Sequence, residues 1–162
     1  MAMVDYFLKI EGIEGESQDA KHKGEIELSS FSYGGTQPVA AGYGGGGGAG
    51  KVALQDFHFV MRNSKASPKL FLSMCNGSHL PTALLTCRKA GKEQQEFLKI
   101  TMSDVIVSSY SEGGSEGGDV VPQAQISLNF TKIEMEYKPQ KADGSLDGAI
   151  KAGWNIKTNT KV

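Results

Sequence analysis

Apolar and polar residues alternate with a period of two along most of the chain, which is the pattern of β-strands with one buried face. Segments rich in glycine and polar residues separate the alternating runs and predict turns and loops. The predicted strands comprise residues 4–10, 25–33, 52–62, 82–89, 96–110, 125–138 and 150–158. The fold is therefore expected to be mainly β.

Three of the predicted strands change the phase of their alternation midway. In residues 52–62, for example, the apolar positions pass from Val52 and Leu54 to Phe57 and Phe59. One extra residue in a strand turns all later side chains to the opposite face, so each change predicts a β-bulge. The predicted bulges lie near residues 29–30, 55–56 and 131–132. Burial of both strand faces, for instance by contact between subunits, would produce the same pattern.

Bulges bend long strands, and bent strands favour a closed barrel over a flat sheet. We expect a small closed β-barrel of long, bulged antiparallel strands with one short α-helix. The helix is expected to have Ser67 as its N-cap and Pro68 as its first residue, and to end at Gly77. It would plug or buttress the barrel. Its predicted apolar stripe consists of Leu70, Phe71, Met74 and Cys75.

The length of 162 residues indicates a single domain over residues 1–162. Hydrophobic residues make up 39% and charged residues 22%, which is typical of a globular protein and not of a disordered one. The formal net charge of −1 gives no support to nucleic-acid binding, which needs clustered positive charge. No apolar run approaches the ~20 residues of a membrane-spanning helix, so membrane insertion is not expected.

The first residues do not resemble a secretory signal peptide, because Asp5, Lys9 and Glu11 interrupt the apolar run and no basic leader precedes it. We therefore expect the chain to fold in the cytoplasm and to leave it, if it does, without a cleavable signal. The two cysteines, Cys75 and Cys87, are too few for a disulfide framework. They are expected to be reduced and packed, and a bonded pair is the alternative.

Glycine accounts for 21 residues, and seven of them fall within residues 42–50. Residues 45–52 read GGGGAGKV, which is similar to the phosphate-binding loop G-x-x-x-x-G-K-[ST]. However, Val52 stands where that loop has the hydroxyl residue for Mg²⁺, and an alternating strand follows instead of a helix. The segment is therefore interpreted as a long loop that becomes ordered when it packs against something.

Metal ligands and catalytic groups are sparse in the sequence. His22, His58 and His79 are far apart and form no H-x-x-x-H pattern, and the cysteines form no C-x-x-C. His22 stands between two lysines and is expected in a solvated turn, whereas His58 lies within a predicted strand. No G-x-S-x-G motif is present, and no serine or cysteine has an obvious neighbouring base. We therefore predict no enzymatic activity, no metal and no cofactor.

Seven short tracts, in order along nearly the whole chain, together resemble one protein family. They read KIEGIEGES at 9–17, FSYG at 31–34, GGGGGAGKV at 44–52, CRKAG at 87–91, VSSYSEGGS at 107–115, YKPQKADG at 137–144 and GWNI at 153–156. Each tract alone is weakly specific, but their order makes the combination highly specific. The family is that of the haemolysin-coregulated proteins (Hcp), the inner-tube proteins of bacterial type VI secretion systems.

The resemblance implies a homohexameric ring of small β-barrels, and rings that stack into a hollow tube. A contractile sheath would propel this tube, tipped by a spike protein, from the bacterial cytoplasm into the medium or a target cell. Effector proteins would bind within the lumen before delivery. The implied partners are thus further copies of the chain, sheath and spike proteins, and effectors.

A ring of identical subunits needs a head-to-tail interface, and stacking needs a second contact along the tube axis. We assign the second contact to the glycine-rich loop, because glycine lets its backbone approach another subunit closely. The residues of this predicted ring-stacking loop are Thr36, Val39, Tyr43, Gly44, Gly45, Gly46, Gly47 and Gly48.

Ser32 is the candidate lumen-facing contact for effectors. Phe31 and Tyr33 share one face of the predicted strand, so Ser32 points outward if the two aromatic rings point into the barrel. That outward face would line the channel. An exposed serine without a role is the alternative.

Two other functions remain open from the residues themselves. One is a monomeric ligand-binding β-barrel or sandwich, in which Trp154 and Tyr110 would form the binding platform. The other is a hydrolase of an unrecognised type, which would need a displaced or perturbed acid–base group. The mass of the particle in solution separates a ring from a monomer.

Overall fold

The computed structural model describes residues 3–38, 51–91, 94–118 and 121–162, and these ranges contain eleven strands and one helix. The strands are β1 (Val4–Ile10), β2 (Ile26–Ser32), β3 (Gly35–Thr36), β4 (Ala53–Leu54), β5 (Phe57–Arg62), β6 (Leu80–Lys89), β7 (Gln95–Gly113), β8 (Gln123–Asn129), β9 (Lys132–Tyr137), β10 (Ile150–Asn155) and β11 (Thr160–Lys161). The helix, α1, comprises Ala66–Asn76 and connects β5 to β6.

Six strands close into an antiparallel barrel, in the order β7, β6, β1, β2, β5 and β8, with β8 paired to β7 again. β7 makes the closure possible, because its first part pairs with β6 and its last part, from Ile106, pairs with β8. A register shift between Val107 and Ser109 bends the strand as it changes partners. The predicted closed barrel of long, bulged strands is confirmed.

Apolar side chains from alternating strand positions fill the barrel interior. Phe57, Phe59, Leu85, Ile100 and Leu128 are each at most 1% exposed. The period-two pattern supplies this core because every second side chain of a strand points to the same side. Burial of such side chains is the main source of the stability of the barrel.

The predicted phase changes have two different structural causes. Near residues 29–30 a bulge is present, since the pairing of β2 with β5 shifts between Leu28 and Ser30. At residues 55–56 and 131–132 the prediction of bulges is wrong, because one strand ends there and another begins. Each break lets the chain change pairing partners, from β3 to β2 at the first and from β5 to β10 at the second. Alternation alone does not distinguish such a break from a bulge.

The helix α1 packs against β7 and begins earlier than expected. Its N-cap is Lys65, so the prediction of Ser67 as the N-cap is wrong. The cause is Ser64, whose Oγ accepts a hydrogen bond from the Ala66 N–H at 3.2 Å and whose own N–H donates to Ser67 Oγ at 3.0 Å. Gly77 ends the helix in the left-handed conformation with φ 64°, as predicted.

The side of α1 that faces the barrel also differs from the prediction. Pro68 is the third helical residue and not the first, although the first turn still needs no N–H from it. The buried helical residues are Ala66, Ser67, Leu70 and Ser73. Phe71 and Cys75, predicted in the buried stripe, are exposed, because mostly small side chains form the contact with the barrel. Phe71 instead contacts Tyr110 edge-on, with ring centroids 5.7 Å apart.

Candidate assembly surfaces

The sheet continues beyond the barrel through β9, β10 and β11, which follow one another from the edge of β7. Residues paired across antiparallel strands project to the same side, so the face of β7 that lines the core runs on into β9 and β10. Ile100 of β7 pairs with Met135 of β9, which pairs with Ala152 of β10. Further along, Tyr137 pairs with Ile150.

This surface, which we call the β9–β10 apolar face, is incompletely covered by the described residues. Ile100 is fully buried, but Met135 is 38% exposed, Tyr137 45% and Ile150 65%. Adjacent apolar residues with this much exposure are unusual in a monomer and indicate a contact surface.

A groove of about 610 Å³ lies along the β9–β10 apolar face, with Tyr33 and Leu54 on its other side. The Tyr33 hydroxyl lies 3.9 Å from the Met135 sulfur, and partial burial raises the pKa of this tyrosine. Trp154 also lines the groove, and its indole Nε1 is buried without a hydrogen-bond partner among the described residues. The groove is thus apolar with few polar contacts.

Tyr110 lies elsewhere, beside Phe71 of α1. Tyr110 lines a cavity together with Phe71 and Ser67, whereas Trp154 lines the groove of the β9–β10 apolar face. The structure therefore does not bring Trp154 and Tyr110 together into the platform that a monomeric ligand-binding module would need.

Ser32 lies on the outer wall of the barrel, in a row of paired residues that crosses four strands. It pairs with His58 of β5, which pairs with Ser127 of β8, and Ser127 pairs with Ser109 of β7 through a hydrogen bond between the two hydroxyls. The neighbouring Phe31 packs inward against Phe57, with ring centroids 5.8 Å apart. Alternation therefore turns the Ser32 side chain outward, in the direction expected from the sequence.

The outer wall around Ser32 forms a shallow recess of about 390 Å³ whose lining carries no Asp, Glu, Lys or Arg. The outward side chains that line it are Ser30, Ser32, His58, Val60, Ser109, Ser111 and Gln125. Most of these outward side chains are polar and four of them are serines, so this wall is more hydrophilic than the β9–β10 apolar face.

The predicted ring-stacking loop emerges from a two-stranded hairpin, which we call the arm root. Gly35 pairs with Leu54 and Thr36 with Ala53, and Thr36 is exposed. A Cβ at Gly35 would lie 2.7 Å from the Leu54 Cδ2 and 3.1 Å from the Ala53 carbonyl oxygen, so a larger residue there would displace the Leu54 side chain. The remaining residues of the predicted loop, Val39, Tyr43 and Gly44 to Gly48, lie outside the described residues.

These surfaces carry few side chains suited to catalysis or to metal binding. In the part of the chain that the structure describes, no three His, Cys, Asp or Glu side chains are grouped to hold a metal ion. The two cysteines are free; Cys87 is buried, and desolvation raises its pKa to about 12, whereas Cys75 is exposed, contrary to the packed position expected for it. Within the same ranges no helix is long and apolar enough to cross a bilayer.

His22 is the residue that sequence reasoning placed least well. It is only 6% exposed, and its ring nitrogens contact Glu25 and Glu96 at 2.8 and 2.7 Å, so the expected solvated turn is wrong. The two flanking lysines suggested solvent, but Glu96 is 74 positions away and alternation carries no signal of that contact.

A closed barrel whose sheet extends into an exposed apolar face is typical of proteins that associate with other chains through that face. Residues 7–137 match the family described as "Type VI secretion system effector, Hcp". The chain is 46% identical over 160 residues to protein hcp1 of Pseudomonas aeruginosa, with 98% of each chain covered. The chain therefore belongs to the Hcp family of type VI secretion effector and tube proteins.

Solved structures agree with this assignment. Hcp1 from Salmonella typhimurium is 35% identical with a TM-score of 0.80, over 99% of this chain and all of the other (100%). A type six secretion system protein superposes with a TM-score of 0.92 at 31% identity, over 98% of this chain and 99% of that one. The expected family is thus confirmed over nearly the full length.

Proposed function

We propose that the chain is a structural subunit of the type VI secretion tube, in which homohexameric rings stack into a hollow conduit. The observation that carries this proposal is the β9–β10 apolar face, which continues the barrel core and leaves Met135, Tyr137 and Ile150 accessible. A stable interface buries about 1,200–2,000 Å² in total, and this face with its groove supplies an apolar centre for one. A homohexameric ring is also typical of the family.

The proposed role extends to partners and location. Residues 1–162 act as one domain without catalysis of their own, and the tube they form contacts sheath and spike proteins. It assembles in the bacterial cytoplasm, carries effectors in its lumen and is then secreted into the medium or a target cell. Membership of a family of secreted type VI components supports this sequence of events.

Ring stacking is proposed to depend on the loop that the arm root carries, from Thr36 through Val39 and Tyr43 to Gly44–Gly48. The pairing of Gly35 with Leu54 and of Thr36 with Ala53 supports this, because it brings the two ends of the loop together. Deleting residues 44–48 should leave the number of chains per ring unchanged and shorten or abolish tubes. Tubes of normal length after this deletion would show that stacking has another basis.

Ser32 is proposed to face the lumen and to contact effectors. The uncharged recess around it supports this role, because a neutral polar wall neither repels nor strongly retains diverse cargo. Replacing Ser32 by Gln should reduce the amount of a co-purified effector while hexamers persist. The matched substitution Ser115→Gln, in the exposed loop after β7, should leave the amount unchanged; equal retention in both variants would remove Ser32 from the lumen.

The experiment that tests the central proposal is mass determination together with electron microscopy of the purified full-length chain. Sedimentation velocity should give a particle of about six chain masses at micromolar concentration, and negative-stain images should show rings or tubes. A compact particle of one chain mass, which remains unassociated at high concentration, would instead favour the monomeric binding module.

A further inference from the structure

A cluster of acidic and basic side chains lies on the outside of the barrel, over strands β1 and β6. Leu8 of β1 pairs with Leu85 of β6, and both belong to the core. The adjacent pair, Phe7 and Thr86, therefore points to the outer side, yet each is only 2% exposed. Something other than the barrel covers them.

The cover is the segment of residues 14–25 between β1 and β2, which we call the strap. The strap closes on itself through backbone hydrogen bonds, from the Gly15 N–H to the Gly24 carbonyl at 2.8 Å and from the Ser17 N–H to the Glu25 carbonyl at 3.1 Å. Its residue His22 stacks on the Phe7 ring at 4.3 Å between centroids and 8° between planes. The strap thus lies against the outer side of β1.

Two charged contacts fasten the strap to the barrel. At the first, Arg88 of β6 donates to both carboxylate oxygens of Asp19 at 3.0 and 2.8 Å and to Asp5 at 3.0 Å. Arg88 is 2% exposed, and its hydrogen bonds hold the pKa of Asp19 well below its usual range. A guanidinium remains protonated at every accessible pH, so this contact persists above acidic pH.

The second contact is the pair of hydrogen bonds that His22 makes. Nδ1 lies 2.8 Å from an oxygen of Glu25 on the strap, and Nε2 lies 2.7 Å from an oxygen of Glu96 on β7. A neutral imidazole has one donor and one acceptor nitrogen, whereas ionised carboxylates only accept. Both hydrogen bonds therefore form together only when the imidazole carries two protons.

The charged surroundings of His22 agree with this arrangement. Burial by itself raises the pKa of Glu96, but the hydrogen bond and charge of His22, together with Lys99 at 3.5 Å, outweigh burial and lower it. Glu96 thus stays ionised at neutral pH. From β6, Arg88 lies over the Phe7 ring at 4.8 Å and is already neutralised by Asp19 and Asp5.

We propose that His22 is a proton-dependent latch: its doubly protonated ring holds the end of the strap, residues 20–25, against the barrel, and loss of one proton releases that end. The two carboxylates determine whether the latch is stronger at low or at high pH, because both only accept hydrogen bonds. Stabilisation by the latch is present while the imidazole is charged and is lost as the pH rises through deprotonation of the ring. Asp19 and Arg88 keep the middle of the strap in place at both pH values. This inference does not rest on ring formation.

Native-state hydrogen exchange of the full-length chain, read by mass spectrometry at about pH 6 and about pH 9, tests the latch. Rates are divided by those of an unstructured chain at each pH, so that only structural protection remains. In the native sequence, protection of residues 20–25 should fall by about tenfold or more between the two pH values, because a buried charge-assisted contact is lost. Protection of β1 and β6 should not change.

Two substitutions separate a latch from a merely structural histidine. His22→Gln should give low protection of residues 20–25 at both pH values, whereas the control His79→Gln should behave like the native sequence. His79 also contacts a carboxylate, Asp104 at 2.8 Å, but is 66% exposed and distant in sequence from the strap. Equal protection at both pH values in the native chain, or the same fall in His22→Gln, would overturn the proposal.

A second variant keeps the test decisive if His22→Gln does not fold. Glu96→Gln retains the shape of the side chain and replaces an acceptor-only carboxylate with an amide that can also donate. A neutral His22 ring can then keep both hydrogen bonds, so protection of residues 20–25 should stay nearly the same at about pH 6 and about pH 9. A fall as large as in the native chain would show that the proton on His22 does not control the strap.

Discussion

The same face of the sheet is buried where it lines the barrel on β7 and exposed where it continues onto β9 and β10. On β7 the side chain of Ile100 is fully buried in the barrel, whereas its partner across the strand pair, Met135 of β9, is 38% exposed. At the next strand Ile150 is 65% exposed. The residues along this face are apolar in both regions, but other strands of the barrel cover them only on β7.

The difference shows which part of the fold the chain completes by itself. Inside the barrel, side chains from β5 and β8 cover those of β7, so the core needs no second molecule. Over β9 and β10 the described residues provide only one wall of a groove, with Tyr33 and Leu54 among its lining residues. We therefore expect substitutions in the barrel to affect folding, and substitutions on the β9–β10 apolar face to affect association.

The largest effect is expected from Phe59→Ala, which empties part of the barrel interior. Phe59 is 1% exposed and packs beside Phe57, with ring centroids 6.1 Å apart. Removing a buried phenylalanine ring costs roughly 3–5 kcal/mol, which is a large part of the stability of a small domain. Urea unfolding at one fixed protein concentration measures this loss.

Phe71→Ala is the matched control, because Phe71 of α1 is 52% exposed and contacts Tyr110 only at its edge. Its cost should be about 1 kcal/mol or less. Similar losses in the two variants would mean that the barrel interior does not dominate the stability of the chain.

A smaller effect, and on a different quantity, is expected from Ile150→Lys. The side chain is 65% exposed in the single chain, so the free energy of unfolding should change by less than about 1 kcal/mol. If a second copy covers this face, a buried isoleucine contributes about 1.5–3 kcal/mol there, and the lysine adds an unpaired charge. The dissociation constant between subunits should therefore rise about tenfold or more, measured by sedimentation velocity.

Lys151→Ala provides the comparison, since Lys151 is the next residue of β10 and projects to the opposite side of the sheet. The dissociation constant between subunits of Lys151→Ala should stay within about threefold of that of the native chain. If association weakens in Lys151→Ala and is unchanged in Ile150→Lys, the interface lies on the opposite side of β10.

The barrel and the direction of Ser32 could be predicted because both depend on local alternation. Within β2 the side to which a residue points follows from period two, so Phe31 inward implies Ser32 outward. Strand breaks at residues 55–56 and 131–132 were predicted as bulges, because a break and a bulge both turn the alternation by one residue. Which strand pairs with which is decided by contacts that local pattern does not contain.

Contacts between distant residues account for the other differences. His22 stands beside two lysines, yet Glu96 and the Phe7 ring, both on other strands, bury it. The helix begins earlier than the sequence predicts because the hydroxyls of Ser64 and Ser67 accept hydrogen bonds from backbone N–H groups around Lys65. A segment with several serines offers more than one such capping arrangement. Only the folded arrangement selects among them.

The smallest effect on stability is expected from chemical modification of the free cysteines. Cys75 at the end of α1 is exposed, whereas Cys87 is buried with a pKa of about 12. Its raised pKa keeps the Cys87 thiol almost entirely protonated at about pH 8, and the barrel also shields it from reagents. Iodoacetamide should therefore modify one cysteine per chain, Cys75, and change the free energy of unfolding by less than about 0.5 kcal/mol.

Peptide mass analysis identifies the modified residue, and the same reaction in 8 M urea should modify both cysteines because unfolding exposes Cys87. The variant Cys75→Ser should show almost no modification in the folded state. Rapid modification of Cys87 in folded Cys75→Ser would mean that β6 opens locally. The barrel interior would then be accessible to solvent, as the β9–β10 apolar face is. Slow modification at the rate of global unfolding would place β6 within the stable core.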